Sequence, residues 1–536
     1  MKLIYALLFL IALRHVNAQT AISGSLKTKG NEPISGANVS ITNSYDGTST
    51  NSAGIFNFTT VQKGIIKIRY SAINYLTDSV TINIDGRAVQ LNLQMKDAAN
   101  ELNNVTITAG TFEASDTKKG AVLNSLDIAT TAGAVADIVS ALQTLPGTSQ
   151  AFGENGLFVR GGAASETQTY FDGMLVKDPF GSQLPDIASR SRFSPFLFKG
   201  TTFSAGGYSA QYGQALSSAL LLESKDLPEK TSTEFSLLTV GTGAAHTKRM
   251  TNSTLTTGVT WYNLQPAFSL VKQNVNWQKA PDELIGNLQY KWKPTAHGFL
   301  KIFGQFDHNN ISLFTNTLQT TALTHIINKN KNYYLNSTYQ DMLSSNWKIQ
   351  AGVAYGNTHE KGNIDSNAYH KNDDLLEGKI TITHYFTTAL LWRSGAETST
   401  SGRSESWNML TRFFTGQMEA AFTEGEWRLN EFFILRPGLR AEHASFNDNW
   451  DFAPRLSLAL KTGLKSQVSL AFGEFYQNPD EIYLIQNHRL NEEKSNHYLV
   501  NYQYLGNPEH SGWKRFTNFM VSSLNITLRV WHLIIQ

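Results

Sequence analysis

The chain has 536 residues, with 45 Lys plus Arg against 43 Asp plus Glu and a formal charge of +2. That length allows about two to four domains, or one large barrel with attachments, and so balanced a charge excludes affinity built on neutralising nucleic-acid phosphates. Aromatic residues at 11% and charged residues at 16% exclude a disordered chain, and the absence of cysteine excludes disulfides, thiolate chemistry and Cys-ligated zinc.

The first segment reads as an address. Met1-Lys2 precedes an apolar run from Leu3 to Leu13, and the small residues of Val16-Asn17-Ala18 stand ahead of Gln19. The run falls short of the about 20 residues a spanning helix needs, so residues 1–18 are expected to be a secretory signal peptide. Residues 19–97 alternate short β-rich runs with turn signals, as in Ala37-Asn38-Val39-Ser40-Ile41 and Ile65-Ile66-Lys67-Ile68-Arg69-Tyr70, spaced as in a small β-sandwich.

Residues 98–117 form a linker in which Val105 and Ile107 alternate with Asn104, Thr106 and Thr108. Two readings stand. The segment either adds as an extended strand to the sheet of a partner, or simply leaves the sandwich as a linker strand.

Residues 118–225 mix helix and strand. Ile138, Val139, Leu142 and Leu145 share one helical face that Pro146-Gly147 ends. Val159-Arg160-Gly161 closes a short strand, and Asp172-Gly173 marks a tight hairpin. There Gly supplies a positive φ and the Asp side chain is expected to close the turn. Tyr212-Gly213 leads toward a strand over Ser218-Ala219-Leu220-Leu221-Leu222-Glu223-Ser224.

Residues 226–536 alternate apolar with small or charged residues. Leu456, Leu458 and Leu460 oppose Arg455, Ser457 and Ala459; Val468, Leu470 and Phe472 oppose Ser469, Ala471 and Gly473; Leu435, Leu439 and Ala441 oppose Arg436, Arg440 and Glu442. Periodicity alone fits either a sandwich or a membrane barrel. The aromatics Tyr290, Trp292, Trp347, Tyr355, Trp392, Tyr476 and Tyr483 are expected near strand ends, as interfacial girdles require.

These motifs carry two resemblances. Gly24, Pro33-Ile34-Ser35-Gly36-Ala37-Asn38-Val39 and Asn51-Ser52-Ala53-Gly54-Ile55-Phe56 resemble the carboxypeptidase regulatory-like domain. Leu145-Pro146-Gly147, Val159-Arg160-Gly161, Asp172-Gly173 and Tyr212-Gly213, in that order, resemble the plug domain of TonB-dependent outer-membrane receptors of the Bacteroidetes type. The implied architecture is mainly β, with a small N-terminal β-sandwich, an α+β plug domain and an incomplete antiparallel transmembrane β-barrel.

The resemblance further implies that Asn104, Val105, Thr106, Ile107 and Thr108 form a TonB-box-like segment for a TonB-type periplasmic energy-coupling protein. It makes outer-membrane lipid a second partner and the Gram-negative outer membrane the location. It also makes Arg160 part of a lock between plug and wall, with Glu442 as a candidate partner; the residues alone leave open a strand-end cation in water.

From residue 226 onward the chain suffices for about 12 to 15 strands, where a plugged transporter of this kind uses about 22. With its non-alternating tail from Thr517 to Gln536, the chain is therefore expected to be a truncated or frame-shifted product.

No His-Glu-x-x-His, Gly-x-x-x-x-Gly-Lys-Ser/Thr or Gly-x-Ser-x-Gly pattern occurs, so no active site, metal or cofactor is expected. Asp365 to Asp374 reads as a solvated loop or a weak cation site. Two function classes remain: an energy-coupled receptor for an iron chelate, vitamin complex, peptide or glycan, or a secreted or surface β-rich binding protein without transport.

Overall fold

The structure, a computed structural model, describes residues 19–95, 121–149, 156–181 and 190–504, apart from single positions and pairs within those ranges. The expected signal peptide at 1–18, the linker 98–117 with Asn104, Val105, Thr106, Ile107 and Thr108, Pro146, and the tail after residue 504 lie outside the described residues.

The N-terminal unit contains β1 (Thr20–Thr28), β2 (Asn38–Ile41), β3 (Gly47–Ser49), β4 (Ile55–Thr60), β5 (Gly64–Ser71), β6 (Asp78–Ile84) and β7 (Val89–Met95). They form two sheets, ordered β4-β1-β7 and β3-β2-β5-β6. Alternation puts Ile22, Leu26, Val39, Phe56 and Ile68 between the sheets. Gly24 is required by a close approach, because a Cβ there would overlap the Leu91 carbonyl and the Phe56 ring.

The middle unit comprises β8 (Ala121–Leu123), α1 (Ser125–Thr130), α2 (Ile138–Leu142), β9 (Thr148–Ser149), β10 (Phe158–Val159), β11 (Thr167–Phe171), β12 (Met174–Leu175), β13 (Phe198–Ser204) and β14 (Ser218–Ser224). Its main sheet runs β12-β11-β14-β13-β8, with β11 and β14 parallel. The hairpin turn at Asp172 and Gly173 takes φ of 49° and 89°, the left-handed pair that suits a two-residue turn.

Among the described residues the third unit is one antiparallel sheet of 14 strands paired in chain order. They are β15 (Ser232–Leu238), β16 (Gly241–Arg249), β17 (Ser253–Asn263), β18 (Asn276–Trp292), β19 (Phe299–Thr317), β20 (Thr320–Ser344), β21 (Trp347–Ile364), β22 (Asn367–Tyr385), β23 (Leu390–Trp407), β24 (Leu410–Arg428), β25 (Phe433–Ala444), β26 (Asn449–Gly463), β27 (Ser466–Gln477) and β28 (Glu493–Tyr504). Two short helices interrupt the connections, α3 (Gln265–Leu270) before β18 and α4 (Glu481–Leu484) before β28. The sheet curves around the middle unit, which contacts its strands from β19 to β28.

The faces sort as a membrane barrel and not as a sandwich. Val353, Tyr355, Leu376, Ile380, Leu439, Leu456, Leu460, Leu470 and Phe472 point outward and are exposed, while Glu397, Arg436, Arg440, Glu442 and Arg455 point inward and are buried. A sandwich would invert this arrangement. Trp292, Trp347, Trp392 and Trp427 line one rim, each more than a third exposed. The N-terminal unit docks on that rim: Arg428 donates to the Gly47 carbonyl at 3.2 Å, Lys461 pairs with the buried Asp46, and Lys293 lies 5.9 Å from the Tyr75 ring.

Two expectations change. Asp365 to Asp374 is not a loop: the turn ends before Asn367, and Asp373 lies on the inner face of β22, paired with Lys371 at 2.9 Å and Arg403 at 3.5 Å. The two faces go on alternating through this polar stretch, whose inward residues line the lumen and whose strand is held by its backbone ladder without apolar side chains. Tyr355 sits in the middle of β21, because the strand runs on past the apolar band.

Candidate functional site

The contact between the middle unit and its wall centres on residues 206–216, between β13 and β14. This segment brings small residues and open carbonyls to the inner face of β22–β28. Gly213 approaches so closely that a Cβ there would overlap Glu442 and Arg440.

Arg440 is fully buried, with Nε 2.5 Å from Glu442 Oε1 and Nη2 3.1 Å from Glu397 Oε1. Lys379 Nζ lies 3.0 Å from Glu397 Oε2 and donates to the Gln211 carbonyl at 2.6 Å. These two cations and two carboxylates neutralise one another, and losing any one would leave a buried charge costing several kcal/mol. Gln214 Nε2 donates to Glu442 at 3.2 Å, and the Tyr170 hydroxyl donates to the Gly213 carbonyl at 2.5 Å.

A second cluster holds the preceding residues. Arg455 Nη1 donates to the carbonyls of Ser209 at 2.6 Å and Tyr212 at 2.7 Å, while its guanidinium stacks on Phe475 at 4.3 Å. Glu424 accepts from Ser209 Oγ and the Ala210 amide, both at 3.0 Å, and faces Arg393 at 3.4 Å. His497 Nδ1 lies 3.2 Å from the Gly207 amide nitrogen, so Nδ1 accepts and the proton sits on Nε2, which donates to the Leu216 carbonyl at 2.7 Å.

The opposite wall, β19 and β20, holds the unit differently. Phe171 packs on Phe303 and Tyr334 at 4.8 and 5.8 Å between ring centroids. Arg192 and Asp307, both almost wholly buried, pair at 3.2 Å. At the far end Leu175 N donates to Glu377 at 2.6 Å, and Lys177 pairs with Glu481 of α4 at 2.5 Å.

The residues singled out in the sequence fall as follows. Gly147 and Arg160 meet: the Arg160 amide donates to the Gly147 carbonyl at 2.8 Å, and Leu145 packs against the unit's core. Val159 is buried there, and Gly161 has φ +81°. Arg160 Nη1 donates to the Ala205 carbonyl at 2.8 Å, a bond within the middle unit. The arginine bound to Glu442 is Arg440 of the wall itself. The Asp172 side chain does not close its own turn but reaches out, accepting from Ser224 N at 2.9 Å and facing Lys301 Nζ at 3.3 Å. The two positive φ values already set the turn, which leaves the carboxylate free to bind elsewhere.

Lys379, Glu397, Glu424 and His497 were missed, and Arg455 was noted only for its strand face, although their signal was readable: each is a charged or imidazole residue on the non-apolar phase of an alternating strand. Among the described residues no group of three or more His, Asp or Glu could hold a metal ion.

Residues 22–107 match the family model of the CarboxypepD_reg-like domain. No curated protein matches the chain by sequence. Solved structures do match in fold. A variant of the ferric enterobactin receptor PfeA of Pseudomonas aeruginosa is 14% identical, over 72% of this chain and 69% of that one, with a TM-score of 0.58. The siderophore receptor PirA of Acinetobacter baumannii is 12% identical over 72% and 68%, and the copper transporter OprC 16% over 73% and 71%, each with a TM-score of 0.58. At such identities the likeness is one of fold. The chain thus joins a CarboxypepD_reg-like domain to the plugged-barrel fold of TonB-dependent receptors.

Proposed function

We propose that this chain is an energy-coupled transporter of the outer membrane, of the TonB-dependent type. The middle unit acts as the plug, and Asn104, Val105, Thr106, Ile107 and Thr108 offer a strand to a TonB-type periplasmic protein. The observation that carries this reading is that the wall grips residues 206–216 mainly through polar bonds to backbone carbonyls and amides. Such bonds can be exchanged for water one at a time, so a pulled plug can yield without unfolding the barrel. In this reading the work comes from the partner.

The ligand is unidentified. The similar folds include receptors for siderophores and a copper transporter, so ferric siderophores and copper ions are the first probes to try. The partner reading has a direct test. Because the chain has no cysteine, Val105→Cys carries a sole thiol, expected to form a disulfide in whole cells with a cysteine in the periplasmic domain of the TonB-type protein. No such cross-link from a protein that shows heat-modifiable migration in the membrane fraction would reject it.

A further inference from the structure

The plug contacts and the apolar band leave one strongly charged outer surface unexplained. On β19–β22 the outward row His308, Lys331, His359 and Asn372 is paired strand to strand, and the next row runs Asn310, Lys329, Lys361 and His370. Lys329, Lys331 and Lys361 are exposed, and among the described residues no carboxylate forms an ion pair with any of them. Lys329 stands directly opposite Lys361, an arrangement in which like charges repel. The rings of His359 and His370 flank the pair, 4.5 Å apart. Of the neighbouring outward acids, Asp282 pairs with Lys279 and accepts from Trp261, and Asp374 stands one row lower, opposite Asn357 and beside Gly402.

The height of this cluster is set by the strands. From Trp347 on the rim to His359, a strand rising about 3.3 Å per residue and tilted about 45° climbs about 28 Å. That places it just above an apolar band about 25 Å tall. The band's upper edge is visible directly beneath, where Tyr333 and Phe306 stack at 5.2 Å beside exposed Leu335 and Tyr355. The N-terminal unit sits at the opposite rim, so the cluster faces the outer leaflet.

We propose that Lys329, Lys331 and Lys361 bind the phosphate groups of a phosphorylated lipid of the outer leaflet. Charge complementarity and continuity with the apolar band favour a lipid, whose chains lie along Leu335, Val353 and Tyr355 while its phosphates relieve the lysine repulsion. The inference rests on the sheet spanning a bilayer, as proposed above.

The test uses the full chain in detergent micelles, titrated with bis-phosphorylated lipid A, with the same lipid after removal of its phosphates, and with inorganic phosphate. Lys329→Gln/Lys331→Gln/Lys361→Gln is expected to weaken lipid A binding at least tenfold, and Lys331→Gln alone about threefold. Lys63→Gln/Lys67→Gln on the N-terminal unit should leave binding unchanged. The dephosphorylated lipid should bind the parent no better than lipid A binds the triple variant, and inorganic phosphate at equal concentration should displace nothing.

Unchanged binding by both lysine variants, equal binding of the dephosphorylated lipid, or displacement by inorganic phosphate would each overturn the proposal. Insertion of the parent into phosphatidylcholine vesicles is measured separately. Its failure would overturn the membrane reading together with this one, whereas insertion without lysine-dependent binding would overturn this one alone.

Discussion

The Arg440 guanidinium occupies the space that a side chain at residue 213 would need. The fully buried wall cation and a close approach of the plug are therefore one feature. Gly213 carries no positive φ among the glycines that do, so its constraint is space alone. Gly213→Ala is expected to destabilise the seated plug by about 1 to 3 kcal/mol, the usual cost of overpacking. Planar-bilayer recordings in KCl should show more frequent openings than the parent; identical recordings would mean that the segment can shift aside without loss.

Removing the cation tests the charge cluster. Arg440→Met leaves Glu397 and Glu442 facing each other without their shared partner, and urea unfolding should show a loss of about 3 to 5 kcal/mol. Adding Glu442→Gln should recover part of that loss, since one of the stranded charges is gone. Strict additivity of the two substitutions would argue against the coupling.

The junction between plug and sheet supplies a pH dependence. Asp226 is pushed up by burial but more strongly down by Lys199 and Lys301, so its carboxyl titrates below the ordinary range. Lys199, pushed down by burial, is raised further by Asp226 and Glu223 and titrates above its ordinary range. A depressed carboxyl stabilises above its unfolded value and loses that contribution as pH falls through the folded one. A raised amine stabilises below its unfolded value and loses its contribution as pH rises through the folded one. The stability difference between parent and Asp226→Asn should therefore stay level from about pH 5 to 9, then shrink below about pH 4. A difference that shrank already at pH 6 would contradict the assignment.

The outer face has its own test. Leu470 opposes Leu458 across β26 and β27 and is 41% exposed. In a bilayer Leu470→Arg should cost about 2 to 4 kcal/mol near the midplane, measured by urea titration in phosphatidylcholine vesicles. A cost near zero would mean that this face meets water.

Much of the architecture was readable because it is local. The sandwich strands, the Asp172-Gly173 turn and the hairpin of β26 and β27 follow from period-two alternation and from residues that take left-handed φ. The 14 strands among the described residues also fall within the about 12 to 15 that the length from residue 226 suggested. Asp365 to Asp374 misled because a lumen-facing strand can be polar on both phases once it rises above the apolar band.

The charge cluster was half legible. Sequence drew attention to Glu442, but the arginine that meets it, Arg440, is two residues away on the same strand. Which carboxylate meets which cation depends on strands far apart in sequence, as with Lys379, Glu397 and Arg440.

By itself the sequence determined the alternation, the turns and the order of the three units, since these need only near neighbours and backbone stereochemistry. The tertiary structure alone decided which face of the sheet turns outward and which buried charges close around Gly213. Alternation is the same in a sandwich and a barrel, and an ion pair between distant strands exists only once curvature has brought their inner faces around one enclosed unit.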